Sequence, residues 1–284
     1  MLSLNISSIL GVFCDSDPAS VKYARVFGIN LVSVDMSGTL PLTIGNFQSL
    51  SVLILTGNKI GGSIPGTIGS LTKLTTLDMS GNSFIGTISS TIGSLKLLAF
   101  FNVGSNSLTG TIPSAIGALT SLTDIDLAVN SLNGSIPSSM GALTSLNSIY
   151  LKSNAFTGTI SSDISVLKSL NYLVISDNHF NGIIPSSIGA LTKLVVIDFS
   201  YNSLTGTIPS TMSALTLLND VYFNNNYLTM GTATTVPTFT FSSITLSKLI
   251  ALSDNCLVFD TDSPYRHVRA THCRPTSKYQ LSVV

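Results

Sequence analysis

An asparagine recurs at one fixed interval through most of this chain, as from Asn58 to Asn82. A fixed period of this size is the signature of a repeat architecture, because one unit cannot bury its apolar face alone and must stack on its neighbours. The period therefore predicts a solenoid of about nine turns rather than a globular domain with a single closed core. The repeated residues are Asn58, Asn82, Asn106, Asn130, Asn154, Asn178, Asn202 and Asn226.

The residues around each asparagine keep the same register. The unit that begins at Leu50 reads L-x-x-L-x-L-x-x-N-x-I-x-G-x-I-P, and the unit that begins at Leu122 repeats it. The L-x-L step alternates with period two, which is typical of a short strand with one buried face. Stacked units are therefore expected to form a parallel sheet with strands about 4.8 Å apart.

Each repeated asparagine is expected to face inward. Its amide offers both donors and an acceptor, so it can satisfy backbone groups that a tight turn leaves unpaired. An unsatisfied buried group costs about 1–3 kcal/mol, so we predict a stabilising ladder of asparagines, and Asn130→Leu or Asn154→Leu should destabilise the protein strongly. The glycine four residues after each asparagine except the last, as at Gly62 and Gly134, predicts a left-handed or tight backbone there.

Stretches such as NSLTGTIPSAIGALTSL, residues 106–122, match one repeat consensus almost position by position. That consensus is L-x-x-L-x-L-x-x-N-x-L-x-G-x-I-P-x-x-I-G-x-L, and the chain therefore resembles the plant-type extracellular leucine-rich repeat family over about residues 26–230. It is similar to receptor-like protein ectodomains and kinetoplastid surface antigens. The resemblance implies an α/β-type repeat solenoid. This would be a right-handed superhelix with a concave parallel β-sheet and short second-sheet or 3-10 segments.

The pattern weakens at both ends. Val34 occupies the asparagine position of the first unit, and Met230 occupies the glycine position of the last. Terminal repeats require caps that cover the open core. We therefore predict an N-terminal cap over residues 1–25, leucine-rich repeats over 26–231 and a C-terminal cap over 232–284.

The three cysteines bear on the caps and the compartment. Cys256 and Cys273 either form a disulfide that staples the C-terminal cap, which we favour, or are two reduced thiols of a cytosolic protein. Cys14 resembles the end of the paired-cysteine cap of the family, but no earlier cysteine precedes it. Either this cap is degenerate or the start of the chain is missing, and we favour the second reading because residues 1–13 make a poor signal peptide.

The composition narrows the classes of partner and compartment that this chain can have. Only 9% of residues are charged and the net charge is zero. This argues against nucleic acid, because phosphate binding requires a clustered basic surface. No apolar run of membrane-spanning length occurs, although a missing extension could anchor the protein. Sequons at Asn5 and Asn133 are candidate glycosylation sites. Together with the resemblance, these features predict an extracellular or cell-surface protein.

No catalytic site is evident. His267, His272 and Cys273 do not have a standard metal-ligand spacing, so no metal is predicted. Asp78, Asp126 and Asp198 share one column of the sheet, but no base or nucleophile accompanies them. We therefore expect no enzymatic activity and no cofactor.

The variable strand residues outline a candidate ligand surface in the C-terminal half. Tyrosine supplies contact area and a polar group at low entropic cost, which is why it is enriched at interfaces. The predicted surface consists of Tyr150, Lys152, Tyr172, Asp177, Asp198, Tyr201, Asp220 and Tyr222.

The sequence thus favours a non-enzymatic recognition module that binds a protein, peptide or glycan through the concave face. Two alternatives remain open: a secreted inhibitor of a cell-wall-degrading enzyme, and a structural or adhesive surface protein. Inhibition assays would separate the inhibitor from the receptor-like reading.

Overall fold

The structure is a computed structural model that describes residues 11–15, 25–228, 257–260 and 267–270. Most of the two predicted caps lies outside these ranges, as do Asn5, Cys256 and Cys273. The predicted cap boundaries, the disulfide and the first sequon therefore stay predictions.

The L-x-L steps form one continuous sheet, which we call the main sheet. It contains ten strands, joined in chain order with parallel pairing from the second strand onward. The first strand, β1, pairs antiparallel with β2, so the sheet begins with an antiparallel strand and not with another repeat unit. The strands are β1 Val12–Asp15, β2 Arg25–Asn30, β4 Val52–Ile54, β6 Thr76–Asp78, β8 Phe100–Asn102, β10 Asp124–Asp126, β12 Ser148–Tyr150, β14 Tyr172–Val174, β16 Val196–Asp198 and β18 Asp220–Tyr222.

The segments after each asparagine form a second parallel sheet of nine strands. This confirms the second sheet that the resemblance implied. Every strand of this sheet except the last, which has no glycine, contains a glycine with a positive φ, for example 72° at Gly134 and 76° at Gly110. The strands are β3 Ser37–Thr39, β5 Lys59–Ser63, β7 Ser83–Gly86, β9 Ser107–Thr111, β11 Ser131–Gly134, β13 Ala155–Thr159, β15 His179–Ile183, β17 Ser203–Gly206 and β19 Tyr227–Leu228. Within the predicted C-terminal cap, β20 Leu257–Asp260 and β21 His267–Ala270 pair with each other in antiparallel orientation.

A 3-10 turn closes each unit, and no α-helix occurs in the described residues. The proline before most of these turns is extended, with ψ of 136° at Pro65. The fixed φ of proline suits the residue that caps the turn. Ser89 and Ser161 replace proline at two turns, and their hydroxyl oxygens accept a hydrogen bond from the second turn residue. The turns are η1 Leu42–Asn46, η2 Gly66–Ser70, η3 Ser90–Ser94, η4 Ser114–Ala118, η5 Ser138–Ala142, η6 Ser162–Val166, η7 Ser186–Ala190 and η8 Ser210–Ala214.

Each repeated asparagine bridges two turns. The Nδ2 of Asn130 donates to the carbonyl oxygen of Val103 in the preceding turn, at 3.0 Å, and to those of Leu127 and Ala128 in its own turn. Its Oδ1 accepts from the backbone N–H of Leu108 in the preceding turn, at 2.9 Å. Equivalent bonds to the preceding turn recur at the other seven asparagines. The amide thus satisfies backbone groups of both turns, and its energetic weight stays a prediction.

The apolar side chains form one core that runs the length of the coil. Phe156 and Phe180 stack in it with ring centroids 6.1 Å apart, and Phe199 meets Phe223 edge to face at 5.8 Å. Both pairs come from equivalent positions of successive turns. Residues one repeat apart in the sequence therefore pack against each other in the core, so the repeat pattern predicts which residues form the core.

In five of the 3-10 turns a glycine packs closely against the next turn, whereas Gly141 in η5 does not and Ser165 occupies the glycine position of η6. A methyl group on Gly93 would lie 2.6 Å from the carbonyl oxygen of Ala115 in the next turn, and one on Gly117 would overlap the carbonyl oxygen of Ser139 in the same way. At Gly141 the nearest atom would be Cγ2 of Val166, at 3.6 Å. The stack of 3-10 turns is therefore looser between η5 and η6 than at those other turns.

The first turn departs from the others, as its sequence does. Val34 stands at the asparagine position and is 47% exposed. Its backbone N–H and that of Met36 both donate to Oδ1 of Asn58 in the following turn, at 3.1 and 2.9 Å. Cys14 in β1 is half-buried and forms no disulfide with the described residues.

Candidate ligand-binding face

The outward positions of the main sheet are the first and third residues of each short strand. The middle residue of most strands is fully buried, as at Ile125 and Ile149, so its two neighbours must point away from the core. We call the surface formed by these outward residues from β4 to β18 the main-sheet face. The structure places five of the eight predicted ligand residues on it, namely Tyr150, Tyr172, Asp198, Asp220 and Tyr222.

Two tyrosines lie together on this face. Tyr150 in β12 and Tyr172 in β14 stack with ring centroids 6.4 Å apart and ring planes 26° from parallel. Burial raises the pKa of Tyr150, with smaller contributions in the same direction from Tyr172, Asp126 and Asp124. The raised pKa keeps the Tyr150 ring uncharged at neutral pH.

A second group lies two strands further along. Asp198 in β16 is the register partner of Tyr222 in β18, and Asp220 lies in the same strand as Tyr222. The carboxylate of Asp198 accepts hydrogen bonds from the Ser200 hydroxyl at 2.6 Å and the Ser200 backbone N–H at 3.1 Å. These two bonds fix its orientation. Burial, then Asp220 and Asp198, raise the pKa of Tyr222.

The other three predicted residues border this face. Lys152 is exposed just beyond β12, while Asp177 and Tyr201 each stand immediately before a ladder asparagine. The backbone of Asp177 and Tyr201 is left-handed, with φ of 54° and 52°. Their side chains leave from the end of the strands, and Tyr201 is 56% exposed. They therefore form a rim rather than the centre of the surface.

The structure adds two acids that the sequence-based surface left out. Asp126 in β10 is the register partner of Tyr150, and Asp124 is that of Ser148. Burial raises the pKa of Asp126, and the nearby Asp78 raises this pKa further. The backbone N–H of Ala128 donates to the Asp126 carboxylate at 2.9 Å and lowers the pKa in part. The column alignment of the sequence contained this signal, since Asp126 stands one turn before Tyr150 in the same column.

A buried hydroxyl on the face is left without a partner. In two turns a serine two residues after an outward aspartate bonds to it, as Ser200 does to Asp198 and Ser80 does to Asp78. Ser176 occupies the same position, but Val174 replaces the aspartate. The Oγ of Ser176 therefore makes no hydrogen bond with described residues, although the residue is 2% exposed.

Within the described ranges, no three histidine, cysteine, aspartate or glutamate side chains lie close enough to hold a metal ion. None of the helical segments in that part of the chain has the length and hydropathy of a membrane span. His179 is exposed in β15, on the sheet opposite to the main-sheet face.

Sequence comparison identifies the repeats. A family profile described as leucine-rich repeats (two copies) matches residues 48–96, and one described as leucine-rich repeat matches residues 168–228. No curated protein matches the chain at a significant level. The resemblance to kinetoplastid surface antigens stays a prediction.

Solved structures with the same fold include plant receptor ectodomains. The Arabidopsis receptor kinase HAESA, in complex with the peptide hormone IDA and the co-receptor SERK1, is 33% identical, with a TM-score of 0.72 over 80% of this chain and 38% of that one. The ectodomain of GASSHO1/SCHENGEN3 from Arabidopsis thaliana, in complex with CASPARIAN STRIP INTEGRITY FACTOR 2, is 33% identical, with a TM-score of 0.61 over 69% of this chain and 26% of that one. A plant ice-binding protein is 22% identical, with a TM-score of 0.62 over 79% of this chain and 78% of that one, and shows the fold alone.

The chain spans between a quarter and two-fifths of the two receptor ectodomains. The repeat consensus, the two profile matches and the shared solenoid agree with one another. The chain therefore contains leucine-rich repeats and is similar to the ectodomains of plant receptor kinases.

Proposed function

We propose that this protein is a non-enzymatic, extracellular recognition module that binds a protein or peptide through the main-sheet face between β10 and β18. The observation that carries the proposal is the stacked pair Tyr150–Tyr172 on an otherwise regular sheet. Two large rings held against each other at an exposed surface offer apolar contact area at little further entropic cost.

The surrounding residues support the same surface. The outward positions change from turn to turn, whereas the core and the ladder repeat. A face that varies over an invariant scaffold can provide specificity without altering the fold. The similar ectodomain of HAESA, which is solved in complex with a peptide hormone and a co-receptor, makes a peptide or protein the favoured class of ligand.

A peptide selection tests the proposal. A random library of displayed peptides is panned against the wild-type protein, and each enriched peptide is then scored on two triple variants. One removes the tyrosines of the face, Tyr150→Ala, Tyr172→Ala and Tyr222→Ala. The control removes exposed threonines of the second sheet, Thr109→Ala, Thr157→Ala and Thr205→Ala.

We expect enriched peptides to lose binding to the tyrosine variant and to retain it on the threonine variant. Peptides that bind both variants equally, or that lose binding only on the threonine variant, would place recognition elsewhere and overturn the proposal. Failure to enrich any peptide would overturn peptide recognition by this face.

We also propose that the protein is secreted or displayed at the cell surface, carries a glycan at Asn133 and has a Cys256–Cys273 disulfide. Asn133 is exposed in β11 on the outer side of the second sheet, opposite to the main-sheet face, so a glycan there would leave that face open. Intact mass before and after deglycosylation and reduction tests all three. A chain at 29.8 kDa that changes under neither treatment would contradict them.

A further inference from the structure

Charge is distributed unevenly over this neutral chain. Lysine and arginine total 13, as do aspartate and glutamate, yet no basic residue occupies an outward strand position between β4 and β18. Lys152 follows a strand, and other lysines lie in or beside the segments after the 3-10 turns, as Lys96 and Lys168 do. The outward acids of the main-sheet face are Asp78, Asp124, Asp126, Asp198 and Asp220.

Four of these acids form two groups. The first acidic group consists of Asp124 and Asp126, beside Tyr150 and its stacking partner Tyr172. The second acidic group consists of Asp198 and Asp220, beside Tyr222.

Three strand spacings separate Asp126 in β10 from Asp198 in β16. At about 4.8 Å per strand this separation is about 14 Å. Four residues of extended peptide cover about 13 Å. A peptide that crosses the strands can therefore place a side chain at each acidic group when those two residues are four apart.

The outward positions between the groups are apolar or aromatic except for Ser148 in β12, which is buried. Val174 and Val196 occupy outward positions of β14 and β16 between the two groups. An extended ligand would thus find apolar contact at its centre.

We propose that the ligand of the main-sheet face is an extended peptide segment with two basic residues four apart, one for each acidic group. This inference rests on the proposed function and specifies its ligand. Arginine is favoured over lysine because its guanidinium can bind a carboxylate with two parallel hydrogen bonds while its plane covers a tyrosine ring. Burial already disfavours the charged form of Asp126, as its raised pKa indicates, and a cation would offset that cost.

Synthetic peptides test the spacing. Three twelve-residue glycine–serine peptides are compared. The first carries two arginines four residues apart, and the second carries two adjacent arginines. The third carries two glutamates four residues apart. Dissociation constants are measured by calorimetry at low salt. The variants are Asp126→Asn and Asp198→Asn, with Asp163→Asn as the matched control, because Asp163 is an exposed acid in η6, away from the main sheet.

We expect the spaced arginine peptide to bind about tenfold more tightly than the adjacent one, and the glutamate peptide not to bind. Asp126→Asn and Asp198→Asn should each weaken binding about five- to tenfold, and Asp163→Asn less than twofold. Affinity should fall several-fold at high salt, since a shorter Debye length screens exposed charges. Asparagine keeps an acceptor oxygen for Ala128 and Ser200, and melting temperatures no lower than that of wild type would exclude a loss of folding.

Equal affinity for the two arginine spacings, or insensitivity to both aspartate variants, would overturn the inference. The peptide selection separates this failure from failure of the proposed function. If the selected peptides lose binding on the tyrosine variant but lack paired basic residues, the proposed recognition function is supported and the proposed basic ligand is excluded. The absence of any face-dependent peptide would remove both.

Discussion

The interior of each turn and its outward face obey different rules. Inside, the asparagine bridge, the glycine contact and the core residues recur from turn to turn, because every turn must fit the one before it. On the main-sheet face, equivalent positions range from Ile54 through Asp126 to Tyr150. The neighbouring turn therefore constrains the interior, whereas only solvent or a ligand constrains the face.

The largest expected effect comes from breaking an interior bridge. Asn178→Leu would leave unpaired the Phe156 N–H, which now donates to Oδ1 at 2.9 Å, and would remove the bond to the Leu151 carbonyl at 3.0 Å. We expect a loss of about 3 kcal/mol or more in the free energy of unfolding, measured by denaturant titration. The control is Asn181→Leu, at an exposed asparagine three residues later, which should change the free energy of unfolding little. Equal effects would refute the structural role of the ladder.

The glycine contact between 3-10 turns gives a smaller effect with an internal control. The methyl group of Gly117→Ala would overlap the Ser139 carbonyl oxygen. Such overpacking should cost about 1–3 kcal/mol. Gly141→Ala should be nearly neutral, since its nearest neighbour would be Val166 at 3.6 Å. Thermal melts of both variants measure the difference, and similar melting temperatures would mean that the turns around Gly141 pack as tightly as the others.

The residue immediately before the ladder asparagine Asn130 is strained. Val129 has a positive φ, in the left-handed region. That conformation is unfavourable for a β-branched side chain, whereas asparagine tolerates it. Val129→Asn is therefore expected to raise the free energy of unfolding by about 0.5–1 kcal/mol. Ser153 has a similar positive φ, so Ser153→Val should act in the opposite direction. The same sign of change in both variants, measured by denaturant titration, would contradict the strain argument.

The smallest effect concerns a carboxylate of the face. Burial and Asp78 raise the pKa of Asp126 in the folded protein, so the folded state holds this proton more tightly than the unfolded chain. Its contribution to stability is then fully present below the unfolded pKa and is lost as pH rises through the raised folded value. Asparagine does not ionise, so Asp126→Asn should be more stable than wild type at neutral pH, with the difference shrinking in acid. Thermal melts of both proteins from pH 3 to pH 7 test this prediction. A stability difference that does not shrink as the pH falls would contradict it.

Most of the fold could be predicted from the sequence because each constraint is repeated in it. The asparagine period fixes the turn length, the L-x-L step fixes the register of the main sheet, and Gly62 and its equivalents adopt the positive φ that the pattern indicated. Val34 marks the first turn as atypical in the sequence and in the structure alike.

The exceptions depend on contacts between turns. Gly141 satisfies the same consensus as Gly117, but no carbonyl oxygen of the next turn lies against it, and its nearest neighbour there is Val166. The pairing of Asp126 with Tyr150 likewise requires the strand register, which one turn alone does not specify. Tyr201 looked equivalent to the strand residues in the alignment, but the left-handed backbone directs it to the rim. Local patterns therefore predict the scaffold better than the shape of the surface.

The most direct test of this division between scaffold and face measures stability and binding on the same variant. The triple variant Tyr150→Ala, Tyr172→Ala and Tyr222→Ala is compared with wild type for its melting temperature and for its dissociation constant with the best peptide from the selection. These side chains lie outside the core. We therefore predict at least a tenfold loss of affinity with a melting temperature within about 3 °C of wild type. Unchanged affinity, or a loss of affinity that only accompanies unfolding, would contradict the assignment of recognition to the main-sheet face.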